Sequence, residues 1–348
     1  MGRLFSCIFL SVGAASLLGC QSTTGSSGSS RGGDNIFRPK VSCAEVELNH
    51  LECAMDNWAT RKFDVYLPAG MDRGVPAIVA LHGGGSNKEG AEKMTCPDGD
   101  LSSPFCLSKY GTSRGFAVVY PNGTGRPLIP NVRTWNAGGG ADGYACISGY
   151  ACKQGIDDTQ YFIDLFSSLK KKIQVSPNKI FLTGGSNGAA MNYRLACELP
   201  NAIAGIAPVA GNNQFGVVQG CSGAVATPTL HIHGTADPCW PYKGGQQTCV
   251  FGETRNFLGV NDNLTVWKAN NACADTFATL PLLDNDPNDG TRSYEISFER
   301  CVTPLVHIQV DGGGHTWPGG YSSSKRAGTM SRDFSASEKI VAFFEAQP

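Results

Sequence analysis

The stretch Lys179-Ile-Phe-Leu-Thr-Gly-Gly-Ser-Asn-Gly188 decides how this chain is read. Its apolar half breaks into Gly184-Gly-Ser-Asn-Gly188, and a helix-forming segment follows. A strand that turns through Gly-x-Ser-x-Gly into a helix is the signature of a nucleophile elbow. Such a turn holds its serine at strained backbone angles and lifts the hydroxyl above the sheet edge. The flanking positions call for glycine because a Cβ there would meet the neighbouring strand or helix. The motif points to acyl transfer through Ser186.

Strands and helices alternate outward from this point. Strands are predicted at 62–67, 77–81, 117–120, 179–183, 205–209, 229–233 and 305–310, and helices at 158–173, 189–198, 253–270 and 336–346. Residues 77–81 and 117–120 are apolar throughout, as strands covered on both faces are. Over 158–173, Phe162, Leu165, Phe166, Leu169 and Ile173 share a face. Lys170, Lys171 and Lys172 gather at the C-terminal end, where cations suit the helix dipole. Asp157 with Gln160 resembles a capping box. This alternation predicts an α/β protein with a mostly parallel sheet and helices on both faces.

A serine hydroxyl needs a base, usually a histidine held by a carboxylate. Two loops after predicted strands supply both: His231-Ile-His-Gly-Thr-Ala-Asp-Pro238 carries Asp237, and Gly312-Gly-Gly-His-Thr-Trp-Pro-Gly319 carries His315. Leu81-His-Gly-Gly-Gly85 matches a loop that offers backbone N–H groups to an oxyanion. The expected donors are Asn187 and one glycine of 83–85, foremost Gly84. Serine, aspartate and histidine in this order, each beyond a strand, is the α/β-hydrolase arrangement. Other polar residues read more plainly. His231, His233 and His307 lie along strands as packing or structural residues, and His82 braces the glycine loop. Asp157 and Asp158 read as helix capping. Trp135, Trp240, Tyr242 and Trp317 are candidates for an aromatic substrate pocket, with packing the alternative for each.

The chain of 348 residues has only 16% charged residues and a net charge of −1, and offers no basic stripe for nucleic acid. Fourteen cysteines are too many for a reducing cytosol, and no C-x-x-C pair suggests structural zinc. Arg3, a short apolar run and Leu17-Leu-Gly-Cys20 read as an export signal with a bacterial lipobox. Residues 1–19 are then removed and Cys20 is lipidated. The run is shorter than the ~20 residues a span needs, and a loose myristoylation pattern at the start is the competing reading. Gln21, in place of an aspartate, favours the outer membrane or cell surface. Residues 20–40 are a flexible Gly/Ser-rich tether, and 41–348 form one catalytic domain. Without Cys7 and Cys20, twelve cysteines remain.

Together, Leu81-His-Gly-Gly-Gly85, Thr134-Trp-Asn136, Ile156-Asp-Asp158, the elbow, Ala207-Pro-Val-Ala-Gly211, His233-Gly-Thr-Ala-Asp-Pro238 and Asp311-Gly-Gly-Gly-His-Thr-Trp-Pro-Gly319 resemble a known family. It is the group of secreted esterases that joins polyhydroxybutyrate depolymerases with feruloyl and acetylxylan esterases. The resemblance runs from about Arg61 to the C-terminus. It implies an α/β-hydrolase fold, no metal or other cofactor, and hydrolysis of carboxylic esters; the added cysteines, notably 96/106, 146/152 and 239/249, depart from the family and make the expected fold disulfide-rich. Ser186, Asp237 and His315 fall on its catalytic positions. By nearness and this resemblance, cysteines are expected to pair 43–53, 96–106, 146–152, 197–221, 239–249 and 273–301. The expected substrates are feruloyl or acetyl esters of plant polysaccharide. A short-chain polyester ranks second, because the appended binding module of many depolymerases is missing. A prolyl-oligopeptidase type of peptidase would need a gating domain, and a non-catalytic glycan-binding lipoprotein would need a decayed site. The expected protein is a monomer, attached to a membrane by its lipid and binding no nucleic acid.

Overall fold

The structure is a computed structural model that describes residues 39–71, 74–144, 146, 149–249 and 254–348. The expected signal at 1–19, Cys20 and most of the 20–40 tether lie outside the described residues.

In chain order the described strands are β1 (Val41–Glu47), β2 (His50–Met55), β3 (Phe63–Tyr66), β4 (Val75–Leu81), β5 (Ala117–Pro121), the short pair β6 (Thr124–Gly125) and β7 (Arg133–Thr134), β8 (Val175–Gly185), β9 (Gly205–Val209) and β10 (Thr229–Gly234). There follow β11 (Gly245–Thr248), β12 (Thr254–Phe257), β13 (Phe277–Pro281), β14 (Arg292–Phe298) and β15 (Leu305–Asp311). The helices are α1 (Lys88–Met94), α2 (Leu107–Ser113), α3 (Tyr150–Lys153), α4 (Asp158–Ser168), α5 (Asn187–Glu198), α6 (Gln214–Val218), α7 (Val260–Asn270) and α8 (Ala336–Glu345).

Eleven strands form one sheet in the order β1-β2-β3-β5-β4-β8-β9-β10-β15-β14-β13. From β5 to β15 neighbouring strands run parallel, and both edges continue antiparallel. Successive side chains point to opposite faces, so one strand feeds two cores. Ala77, Val79 and Leu81 of β4 join a cluster with Phe162 of α4, Tyr193 of α5 and Trp267 of α7. Ile78 and Ala80 join another with Leu107 of α2 and Ile340 and Phe344 of α8. Helices therefore cover both faces, which is why β4 and β5 carry no polar alternation. All six expected disulfides are present.

Three expectations change. The helix expected at 253–270 begins at Val260, because Thr254–Phe257 pairs with β11 as a strand and turns Phe257 inward against Trp240. The helix expected at 158–173 widens into a π turn over Leu169–Ile173 and stops at Gln174, which has φ +62°. The edge strands β1, β2, β13 and β14 were not expected. Every residue of β13 is exposed, so it has no buried face to show as alternation; backbone pairing holds it.

Asp157 caps α4 as expected, accepting the Gln160 N–H at 2.9 Å. Asp158 does not act as a cap. It is fully buried, lies 2.6 Å from Arg61 Nη2 and accepts the Asn136 N–H through Oδ2. The Arg61 guanidinium also sits 3.6 Å over the Tyr161 ring. Arg61→Ala would leave a buried carboxylate without its counter-ion, a change expected to cost about 3–5 kcal/mol. Urea denaturation checks this: the midpoint should fall with an unchanged slope, and a shift worth under ~1 kcal/mol would contradict the ion-pair account.

Candidate active site

The elbow has the strained geometry that its sequence implies. Ser186 stands between β8 and α5 at φ +56° and ψ −118°. Two backbone bonds hold it there: its N–H donates to Val209 O at 2.9 Å, and its carbonyl accepts the Ala190 N–H at 3.0 Å. A Cβ on Gly188 would lie 2.5 Å from Leu81 O and 2.7 Å from His82 O. Only glycine lets the helix start so close to the neighbouring loop.

The next residue is clamped from the side. Asn187 Oδ1 accepts the Trp135 N–H at 2.7 Å, and its Nδ2 donates to Trp135 O at 3.1 Å. Trp135 Nε1 donates to His82 O at 3.0 Å. One buried tryptophan therefore ties the elbow to the glycine loop. His82 braces that loop, as expected. Gly123 N–H donates to its Nε2 at 2.9 Å, which leaves Nδ1–H to donate to Gly83 O at 2.8 Å. Burial pushes the His82 imidazole down to about 3, so it stays neutral. Gly85 N–H is committed to Arg133 O at 2.8 Å. The N–H groups of Gly83, Gly84 and Asn187 have no acceptor among the described residues. Gly83, rather than the expected Gly84, borders the cavity beside Ser186.

Asp237 follows β10 and is buried. Its Oδ1 accepts the N–H groups of Cys239 and Trp240, each at 2.7 Å, and its Oδ2 lies 2.8 Å from His315 Nδ1. Burial alone would raise its pKa. The His315 charge and the hydrogen bonds from His233 and His315 outweigh burial and hold the carboxyl well below the usual range. His315 shows the converse: burial works to lower its pKa, and the charge and hydrogen bond of Asp237 raise it above the ordinary histidine value. The loop before His315 lies flat on a neighbouring segment. His315 N–H donates to Ala327 O at 2.6 Å, and a Cβ on Gly314 would sit 2.2 Å from that oxygen.

Ser186 and His315 border one cavity of about 90 Å³, with Gly83, Met94, Trp317 and Tyr321 among its walls. A larger hollow of about 360 Å³, beside Asp98, Arg332 and Glu338, includes neither. Of the four candidate pocket aromatics only Trp317 borders the cavity. Trp135 is fully buried beneath the elbow, and Trp240 packs on Phe257. Tyr242 places its hydroxyl 2.9 Å from both His307 Nε2 and Gln309 Oε1. These three belong to the packing beneath the site: none borders the cavity, and Trp135 Nε1 and Tyr242 Oη are spent on a loop and a strand. Met94 and Tyr321 carried no sequence signal, as each reaches the site only through its loop or helix end. Among the described residues no group of three or more His, Cys, Asp or Glu is placed to hold a metal ion.

A mixed sheet with a parallel centre, helices on both faces and a serine elbow at a strand's C-terminal end defines an α/β-hydrolase fold. The acetyl xylan esterase of Aspergillus awamori shares that fold, with a TM-score of 0.51 and 15% identity over 82% of this chain and 94% of that one. No family model matches the chain. Feruloyl esterase B of Piromyces equi is 26% identical over 262 residues, which is 73% of this chain and 42% of that protein. The bifunctional acetylxylan esterase/xylanase XynS20E of Neocallimastix patriciarum is 27% identical over 186 residues, 53% of this chain and 22% of that protein. The chain thus spans less than half the length of either relative. Its homologues are feruloyl and acetylxylan esterases.

Proposed function

We propose that the protein is an exported serine carboxylic-ester hydrolase acting on acetyl and feruloyl esters of plant polysaccharide, with acetyl preferred. The observation that carries this reading is the buried Asp237–His315 pair, whose imidazole shares one cavity with Ser186. Ser186 Oγ attacks the ester carbonyl while His315 Nε2 takes its proton. Asp237 holds the imidazole and stabilises its cation. The oxyanion rests on the N–H groups of Asn187 and Gly83. His315 then protonates the leaving alcohol, and water repeats the sequence on the acyl-enzyme.

The esterase homologues support the reaction class. The cavity of about 90 Å³ is far below the ~300–1,000 Å³ of drug-sized sites, and this supports a short acyl group. Six disulfides support work outside a reducing compartment. Attachment through a lipid on Cys20 belongs to the same reading of the N-terminal sequence, and Cys20→Ala should release the protein from membranes. A panel of acetylated xylan, methyl ferulate and a polyhydroxybutyrate film tests the substrate. Turnover should be fastest on acetylated xylan, and activity on the film alone would overturn the assignment.

A further inference from the structure

Behind Asp237 lies a buried polar chain that the acyl-transfer steps do not use. β10 and β15 pair in parallel with His231 opposite His307 and His233 opposite Gln309. Residues two apart share a face, so the three histidines crowd beneath Tyr193 of α5 and Asn263 of α7. Fixed groups at both ends set the protons along this chain: Asn263 at one end, and Trp240 O with the Asp237 carboxylate, which only accept, at the other. Asn263 Oδ1 accepts the Asn213 N–H at 3.0 Å, so its Nδ2 is the atom that donates to Tyr193 Oη at 2.9 Å. An amide NH₂ accepts nothing, so the single Tyr193 hydroxyl proton goes to His231 Nδ1 at 2.9 Å. His231 then carries its proton on Nε2 and donates to His233 Nδ1 at 3.2 Å. His233 is left with its proton on Nε2, 2.9 Å from Trp240 O and 3.4 Å from Asp237 Oδ2. All four donors point one way, toward the carboxylate.

We propose that Asn263, Tyr193 and His231 fix the tautomer of His233, so that its Nε2–H is held on Asp237 and its loop. His233 is then a positioning residue for the carboxylate and, through it, for His315. The role assigned to Asp237 rests on the esterase reading above. Burial keeps His231 well below its ordinary pKa, which is the neutral form the chain requires. The other titratable groups around the chain are His307 and Asp311 on β15 and Tyr242 on the loop beyond Trp240. His307 Nδ1 donates to His231 O at 3.0 Å, and its Nε2 meets Tyr242 Oη. Asp311 Oδ1 accepts from Gln309 Nε2 at 2.7 Å.

Tyr193→Phe keeps the shape of the side chain and removes the proton that sets the direction. His231 can then carry its proton on Nδ1, which sets its Nε2 lone pair against that of His233 Nδ1 and pushes the His233 ring, with its Nε2–H, off its place beside Asp237. With that donor loosened, the carboxylate draws the His315 proton more strongly. The His315 imidazole titration, followed by NMR in the full chain, should move up by about half a unit. The kcat for p-nitrophenyl acetate should fall about tenfold with KM within about twofold. His233→Gln, which keeps a terminal N–H donor, should retain more kcat than His233→Phe. A packing role alone would lower the melting temperature of the variants and leave the titration in place. An unmoved His315 titration in both Tyr193→Phe and His233→Phe overturns the proposal. The titration reads His315 whether or not esters are turned over. A wild type inactive on esters therefore sinks the esterase reading separately.

Discussion

Ser186→Ala is expected to lower kcat on p-nitrophenyl acetate by about a million-fold, the scale on which losing the nucleophile of a serine–histidine pair acts. The hydroxyl is the only group removed, and no other side chain in the cavity can form the acyl-enzyme from that position. The fold should survive. Ser186 is held by backbone bonds to Val209 and Ala190 that alanine also makes, and alanine suffers the same positive φ as serine. Circular dichroism and melting should therefore match the wild type, while labelling by a fluorophosphonate probe disappears. Wild-type turnover in this variant would end the assignment of the nucleophile.

Asp237→Asn should cost about ten-thousand-fold in kcat, for a reason visible in the hydrogen bonds. The Oδ1 position accepts two backbone N–H groups, from Cys239 and Trp240. An asparagine would keep its oxygen there and turn its NH₂ toward His315. An NH₂ can only donate, so His315 Nδ1 would have to accept, and the proton would move to Nε2, facing Ser186. The base would then hold a proton where it needs a lone pair. The pH profile adds a second check. Hydrolysis needs neutral His315, and Asp237 raises its pKa above the ordinary ~6.5. Wild-type kcat/KM should therefore fall as pH drops through a value above that, and the residual activity of Asp237→Asn should hold to lower pH. The depressed carboxyl of Asp237 also stabilises the fold above the ordinary carboxylate range, and that contribution is lost as pH falls through and below it. An acid limb identical in both proteins would show that the carboxylate does not act on the imidazole.

Much of this was legible in the sequence because the informative features are local. The elbow lies within ten residues, and the central strands β4 and β5 are apolar without a break. The loops carrying Asp237 and His315 each follow a strand that could be read directly. What escaped depends on contacts between distant segments. Whether Trp135 faces substrate or packs under Asn187 depends on a loop meeting a helix start 52 residues away. His233 read as packing because Tyr193 and Asn263, which orient it through His231, come from the distant helices α5 and α7. Asp158 read as a cap because Arg61, 97 positions upstream, leaves no local trace. Strand β13 escaped for the opposite reason: with every residue exposed, it owes its place to backbone pairing rather than pattern.

Four of the disulfides close spans of 10, 10, 6 and 10 residues. Such short staples do little to bring remote parts together, yet they change what a peptidase can achieve. A single cut between Cys96 and Cys106, or between Cys239 and Cys249, frees no fragment. Both new ends stay covalently attached a few residues away. A protein built this way can be nicked by a peptidase and keep its parts in register.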